Sequence, residues 1–173
     1  MKAVKLNLSV EQHDVLGTIQ DEIIALMRNG QHVSCPMCGR LCKIYPRKLN
    51  KEMARFIIRL VRRYEVTRDW VHVREIVKTN TFASSNGTML IQWGMLLHKA
   101  KDPRDTKHKT SGLWKPTQRG IDFVYNRVRV PSHLKLYHDV KTGESTTTVN
   151  IIEALGESFH YTELMAQETL VAV

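Results

Sequence analysis

Between Leu49 and Tyr64 the apolar residues Leu49, Met53, Phe56, Ile57, Leu60, Val61 and Tyr64 recur at the three-and-four spacing of a single helix face. Asn50 stands where an N-cap would accept a backbone N–H. A stripe this apolar has to be covered, so the neighbouring chain must fold onto it. The opposite side of the same helix is basic: Arg55, Arg59, Arg62 and Arg63 follow Arg47, Lys48 and Lys51, opposed only by Glu52. Such a helix can bury its stripe and leave cations for phosphates, each contact steepening the salt dependence of binding. The same residues are also what the solvated side of any amphipathic helix carries.

The basic helix belongs to a wider asymmetry. Residues 32–138 hold 22 Lys and Arg against 7 Asp and Glu, whereas 1–31 sum to −1 and 139–173 to −5, giving +9 overall. A basic middle between neutral or acidic ends is the footprint of a surface that faces a polyanion, or of a soluble basic protein with a solvated exterior. With 173 residues, 42% hydrophobic and 25% charged, the chain reads as one globular core with additions at each end. No apolar run is long enough to cross a bilayer, so no membrane partner is expected. The start, Met1-Lys2-Ala3-Val4-Lys5, lacks an apolar stretch with a cleavage site, and all three cysteines fall within Cys35–Cys42. A reducing cytoplasm fits this better than a disulfide framework.

Ser9-Val10-Glu11-Gln12 matches a capping box, and Leu16, Ile19, Ile23, Leu26 and Met27 then keep helical spacing up to Gly30. This stripe is expected to pack into its own domain or against a second copy in a homodimer. The following stretch, His32-Val33-Ser34-Cys35-Pro36-Met37-Cys38-Gly39-Arg40-Leu41-Cys42, holds a Cys-x-x-Cys turn that points two thiolates at one place, half of a structural zinc site. Cys42 and His32 are the candidates to complete it, with His72, His98 or His108 as more distant ones. A turn without metal, a redox pair and an iron–sulfur ligand run are the competing readings.

From Thr67 to Val124 three parts follow in order. Trp70 to Lys78 is expected as a short helix capped by Thr67 or Asp69, with Trp70, Val73, Ile76 and Val77 inward; Ser84 to Trp93 is a second helix, ended by Gly94, with Leu90, Ile91 and Trp93 inward. Met95 to His98 and Leu113 to Lys115 are expected strands around the polar, basic loop Lys99–Gly112, and Thr117 restarts a helix with Ile121, Phe123 and Val124 in the core. Gly94-Met95-Leu96-Leu97 followed by Gly112-Leu113-Trp114-Lys115-Pro116-Thr117-Gln118-Arg119-Gly120-Ile121-Asp122-Phe123, in the order helix, helix, hairpin, helix, resembles the winged helix-turn-helix of DNA-binding proteins. The resemblance covers about Lys48 to Val128. It implies a recognition helix opening with Ser84, Ser85, Asn86 and Thr88 and carrying Gln92, and a wing whose Lys101, Arg104, Lys107 and Lys109 meet the phosphate backbone. Lys51, Arg55 and Arg59 would extend that surface, and Arg104 is the wing residue expected to enter a groove. The whole chain is also similar to uncharacterised proteins encoded by bacteriophages and related mobile elements, in which a Cys-pair turn precedes a winged helix.

Beyond Pro131, expected to close this section, Leu134 to His138 and Thr146 to Asn150 read as two strands joined around Lys141-Thr142-Gly143-Glu144, and Ile152 to Leu155 and Phe159 to Leu170 as an acidic helical tail. The expected fold is thus mainly α with small β, an α+β protein. It divides into an N-terminal helix (1–31), a Cys-containing turn (32–46), a winged helix-turn-helix (47–130) and a C-terminal hairpin with helix (131–173). No phosphate loop, His-Glu-x-x-His or Gly-x-Ser-x-Gly occurs, so no enzyme is expected. The leading function is a DNA-binding regulator of transcription or replication, acting in a host cytoplasm if phage-encoded. The alternative is a winged helix that grips and inhibits a host protein. A metal-dependent nuclease recruiting His138, Asp139 and Asn150 is the remote third, since Asp-His is there in reverse order.

Overall fold

The computed structural model describes residues 9–77, 87–104, 111–137, 139–157 and 160–167. Helix α1 (Val10–Arg28) leads into the antiparallel pair β1 (Val33–Ser34) and β2 (Leu41–Cys42), then β3 (Tyr45–Lys48) and helix α2 (Lys51–Thr67). Strand β4 (Val71–His72), helical turn α3 (Val73–Ile76) and a 3-10 helix (Met89–Trp93) precede β5 (Leu96–His98), β6 (Leu113–Pro116) and α4 (Gln118–Val124). The chain then forms β7 (Val130–Pro131), β8 (His133–Tyr137), β9 (Val140–Glu144), β10 (Thr148–Val149), α5 (Ile151–Leu155) and α6 (Tyr161–Gln167). The strands join as β1-β2, β10-β7, β3-β8-β9 and β4-β6-β5, so the architecture is α+β. Two compact units result, one of residues 1–46 and 135–143, the other of 47–134 and 144–173.

In the second unit α2 is the hub. Asn50 caps it by accepting the Met53 N–H at 3.0 Å, and Met53, Phe56, Ile57, Leu60 and Val61 are buried as their spacing demands. Ala54 and Ile58, off that stripe, are buried as well, because α3, α4, α5 and the β4-β6-β5 sheet all pack on this helix. Each large side chain so covered contributes about 1.5–3 kcal/mol. Thr117 then knits the hairpin to α4. Its hydroxyl donates to the Gly94 carbonyl at 2.7 Å and accepts the Gly120 N–H at 3.1 Å, while its own N–H reaches the Met95 carbonyl at 3.0 Å. Gly120 allows this close approach, since a Cβ there would lie 2.4 Å from the Met95 carbonyl oxygen.

The helix expected over Trp70–Lys78 is replaced by a strand and one helical turn. Val71 pairs with Trp114 and His72 with Leu113 across β6, and the cap falls on His72, whose Nδ1 accepts the Arg74 N–H at 3.1 Å. Glu75 closes the box by accepting the His72 N–H at 3.1 Å. Neither Thr67 nor Asp69 is therefore the cap. Val71, His72 and Val73 suit a pleated edge as well as a helix, and the unpaired side of β6 decides between them. The second expected helix ends as the tighter 3-10 form over Met89–Trp93; its start at Ser84 to Asn86 lies outside the described residues. Leu90 and Trp93 are buried, Trp93 donating its indole N–H to the Pro131 carbonyl at 2.8 Å, but Ile91 is 43% exposed and not a core residue.

The C-terminal strands are also shifted from expectation. Lys141 to Glu144, expected as a turn, lies in β9, and the turn from β8 uses Asp139 with φ 60°. Thr148 pairs instead with Pro131, which is a strand residue of β7 and closes nothing. Proline is tolerated because β7 has β10 as its partner and leaves its other edge without a ladder to serve. In the first unit, α1 has the expected capping box at Ser9 and Gln12. Its stripe is not absorbed into a core, however. Ile23 is buried and Leu16, Ile19 and Met27 are half-buried, while Leu26 is 40% exposed, for this helix packs chiefly on the short strand β1.

Leu60→Ala should therefore destabilise the protein by about 2–5 kcal/mol in urea denaturation, and Gly120→Ala by about 1–3 kcal/mol through overpacking. Leu26→Ala should stay within about 0.5 kcal/mol.

Candidate nucleic-acid interface

The arginines of α2 are set by the local folding of α2 and α3. Arg55 lies 3.5 Å from Glu52, Arg62 lies 3.4 Å from Glu65, and Arg63 lies 2.8 Å from Glu75. Arg59 donates to the Ile76 carbonyl at 3.5 Å. The expectation that only Glu52 opposes this basic face is thus corrected. Glu65 comes from the helix's last turn and Glu75 from the capping box of α3, which no reading of α2 alone would bring in. Burial works to raise the Glu75 pKa, but the Arg63 guanidinium, the His72 N–H and the charge around them outweigh it and hold it below the ordinary carboxylate value. Glu65 also accepts the Tyr125 hydroxyl at 2.5 Å, and burial, then this contact, pushes the Tyr125 phenol up. Lys51 stands exposed at the start of α2.

The β5-β6 hairpin is anchored at its base. Lys99 lies over the Trp70 ring at 5.9 Å, Lys115 over Tyr64 at 5.3 Å, and His98 sits 4.4 Å from Trp114 ring to ring. The Ser111 hydroxyl donates to the Lys99 carbonyl at 2.7 Å and accepts the Leu113 N–H at 3.2 Å. Further out, Arg104 is 91% exposed and binds Asp102 through Nε at 3.1 Å and Nη2 at 3.0 Å. An exposed pair of this kind is worth little in water, so a phosphate could displace the carboxylate. Lys101 is half-buried. Thr88, half-buried, precedes the 3-10 helix without making a side-chain cap bond to it, and Gln92, also half-buried, lies within it. Ser84, Ser85, Asn86, Lys107 and Lys109 lie outside the described residues. The second unit thus brings α2, the 3-10 helix and the hairpin base around one sheet. Arg119, exposed on the first turn of α4, sits beside Gly94 at the end of the 3-10 helix and was not among the expected contacts. Its place in the motif Thr117-Gln118-Arg119-Gly120 was the signal available.

In the first unit the three cysteines are reduced thiols on the β1-β2 hairpin. The Cys35 N–H donates to the Arg40 carbonyl and the Gly39 N–H to the Cys35 carbonyl, both at 2.8 Å, with Gly39 at φ 69° as the turn requires. The backbone N–H of Met37, then that of Cys38 and the Cys38 thiol, hold the Cys35 pKa below the ordinary thiol value. The Tyr137 hydroxyl donates to Cys42 Sγ at 3.4 Å, and that contact, ahead of burial, pushes the phenol up to about 12. His32 is exposed and precedes the ladder. Among the described residues no three His, Cys, Asp or Glu side chains are gathered as a metal cluster, which applies to the three cysteines as to His32. Of the residues considered for a nuclease, Asn150 is occupied as the cap of α5, accepting the Glu153 N–H at 2.9 Å. Among the described residues no helix is long and apolar enough to cross a membrane.

Two titrations follow from these contacts. A depressed folded-state pKa gives Glu75 a stabilising contribution that is present above the ordinary carboxylate value and lost as pH falls through the lowered one. Arg63→Ala should move the Glu75 midpoint, read by NMR, upward. Alkylation of Cys35 by iodoacetamide should reach half-maximal rate at a pH below that of an ordinary thiol, since the thiolate is the nucleophile.

No family model, no curated protein and no solved structure matches this chain.

Proposed function

We propose that the second unit is a winged helix-turn-helix that binds double-stranded DNA, as a regulator of transcription or replication in a phage or mobile element. The observation that carries this reading is the β4-β6-β5 sheet, which ties the helical turn α3 and the 3-10 helix to a basic hairpin, with α4 following. Helical turn, helix, hairpin and helix in that order suit a motif that lays one helix in the major groove and a wing along the backbone. The charge supports it: residues 32–138 hold 22 Lys and Arg against 7 Asp and Glu, a pattern that suits a surface facing a polyanion. In this reading Arg104 exchanges Asp102 for phosphate, and Lys101, Lys107 and Lys109 extend the wing contact. The groove contacts would fall to Ser84, Ser85, Asn86, Thr88 and Gln92.

The pairing of Arg55, Arg62 and Arg63 with carboxylates favours a second reading, a winged helix that docks on a protein, because each of these arginines has an acidic neighbour that a phosphate would have to displace. Fluorescence anisotropy with a labelled duplex between about 50 and 200 mM salt separates the two. The DNA reading expects log K to fall steeply with log salt, and Arg104→Ala with Lys107→Ala to reduce the slope by about 0.9 for each phosphate contact removed. Absence of binding at the lowest salt overturns it and leaves the protein-docking reading.

A further inference from the structure

We propose that one zinc ion gathers Cys35, Cys38 and Cys42, which among the described residues do not already form a metal cluster, into a three-thiolate site on a single face of the β1-β2 hairpin, with Tyr137 as the positioning residue for Cys42. The strand register selects these ligands. Val33 pairs with Cys42 and Ser34 with Leu41, and the 2.8 Å bond from the Cys35 N–H to the Arg40 carbonyl extends the ladder toward the turn. Side chains alternate between faces along each strand, so Val33, Cys35, Arg40 and Cys42 share one face. Ser34 and Leu41 take the other, and His32 lies outside the ladder. The Gly39 N–H closes the turn on the Cys35 carbonyl, and the Cys38 thiol is hydrogen-bonded with that of Cys35.

The surroundings of the sulfurs suit thiolates bound to a cation. Backbone N–H groups of Met37 and Cys38 are directed at Cys35 Sγ, and the Tyr137 hydroxyl is directed at Cys42 Sγ from 3.4 Å. Tyr137 is buried, so packing fixes the direction of that donor. Outer hydrogen bonds of this kind orient metal ligands and tune their basicity. A Cys35–Cys38 redox couple would give neither Cys42 nor its tyrosine donor anything to do. Zinc draws thiolates to about 2.3 Å and takes four ligands, so the fourth position falls to water or an external donor. The site lies wholly within the first unit, and the DNA-binding reading of the second unit stands or falls separately.

The test is cobalt(II) titration of the full-length reduced protein, followed by zinc competition. Thiolate-to-cobalt absorption saturating at one ion per chain is expected, lost in Cys35→Ser, Cys38→Ser and Cys42→Ser. His32→Ala should leave the spectrum and affinity unchanged. Tyr137→Phe should keep the spectrum but weaken binding about 10- to 100-fold. Far-UV circular dichroism on each variant separates loss of ligand from loss of fold. No cobalt absorption in the parent protein, an unchanged spectrum in Cys42→Ser, or loss of binding in His32→Ala would overturn the proposal. So would a Tyr137→Phe affinity equal to the parent's, which removes the positioning role.

Discussion

The burial of α2 is the constraint on which the second unit rests. Met53, Phe56, Ile57, Leu60 and Val61 need covering, and Ala54 and Ile58 are closed off too once helices and sheet pack around the same axis. Several side chains at about 1.5–3 kcal/mol each are comparable to the whole net stability of a domain. Every neighbouring element is therefore short and held by what it places against α2. The helical turn α3 has four residues and α5 five, lengths at which a helix in isolation would not persist.

That packing also governs the electrostatics. Bringing α3 beside α2 sets Glu75 against Arg63, and the last turn of α2 sets Glu65 between Arg62 and Tyr125. A helix that carries four arginines in sequence is thus partly neutralised in the fold. At the hairpin Lys99 and Lys115 rest on aromatic rings, and Arg104 pairs with the exposed carboxylate of Asp102. Cations seated on rings stiffen the hairpin base.

The first unit works by different physics. Its α1 is capped yet mostly uncovered, and its two-residue strands bury little. Small elements without a core commonly depend on a metal, a disulfide or a partner. The cysteines, the turn at Gly39 and the donor from Tyr137 supply the chemistry for the first of these.

Periodicity, caps and turn residues determined α1, α2, the β5-β6 hairpin and the restart at Thr117, because these are local: spacing fixes the face, and Asn50, Ser9 and Thr117 need only their own next turn to act as caps. The Cys-x-x-Cys turn was legible for the same reason, down to Gly39. What only the tertiary structure decided is where neighbours in space outweigh neighbours in sequence. Val71 and His72 became a strand because β6 had an open edge, β10 found β7 rather than β8, and Tyr137 reached Cys42 across 95 positions of chain. The partners of Arg63 and Tyr125 were invisible for that same reason, since a charge's surroundings are set by packing, and packing joins residues whose separation along the chain carries no signal.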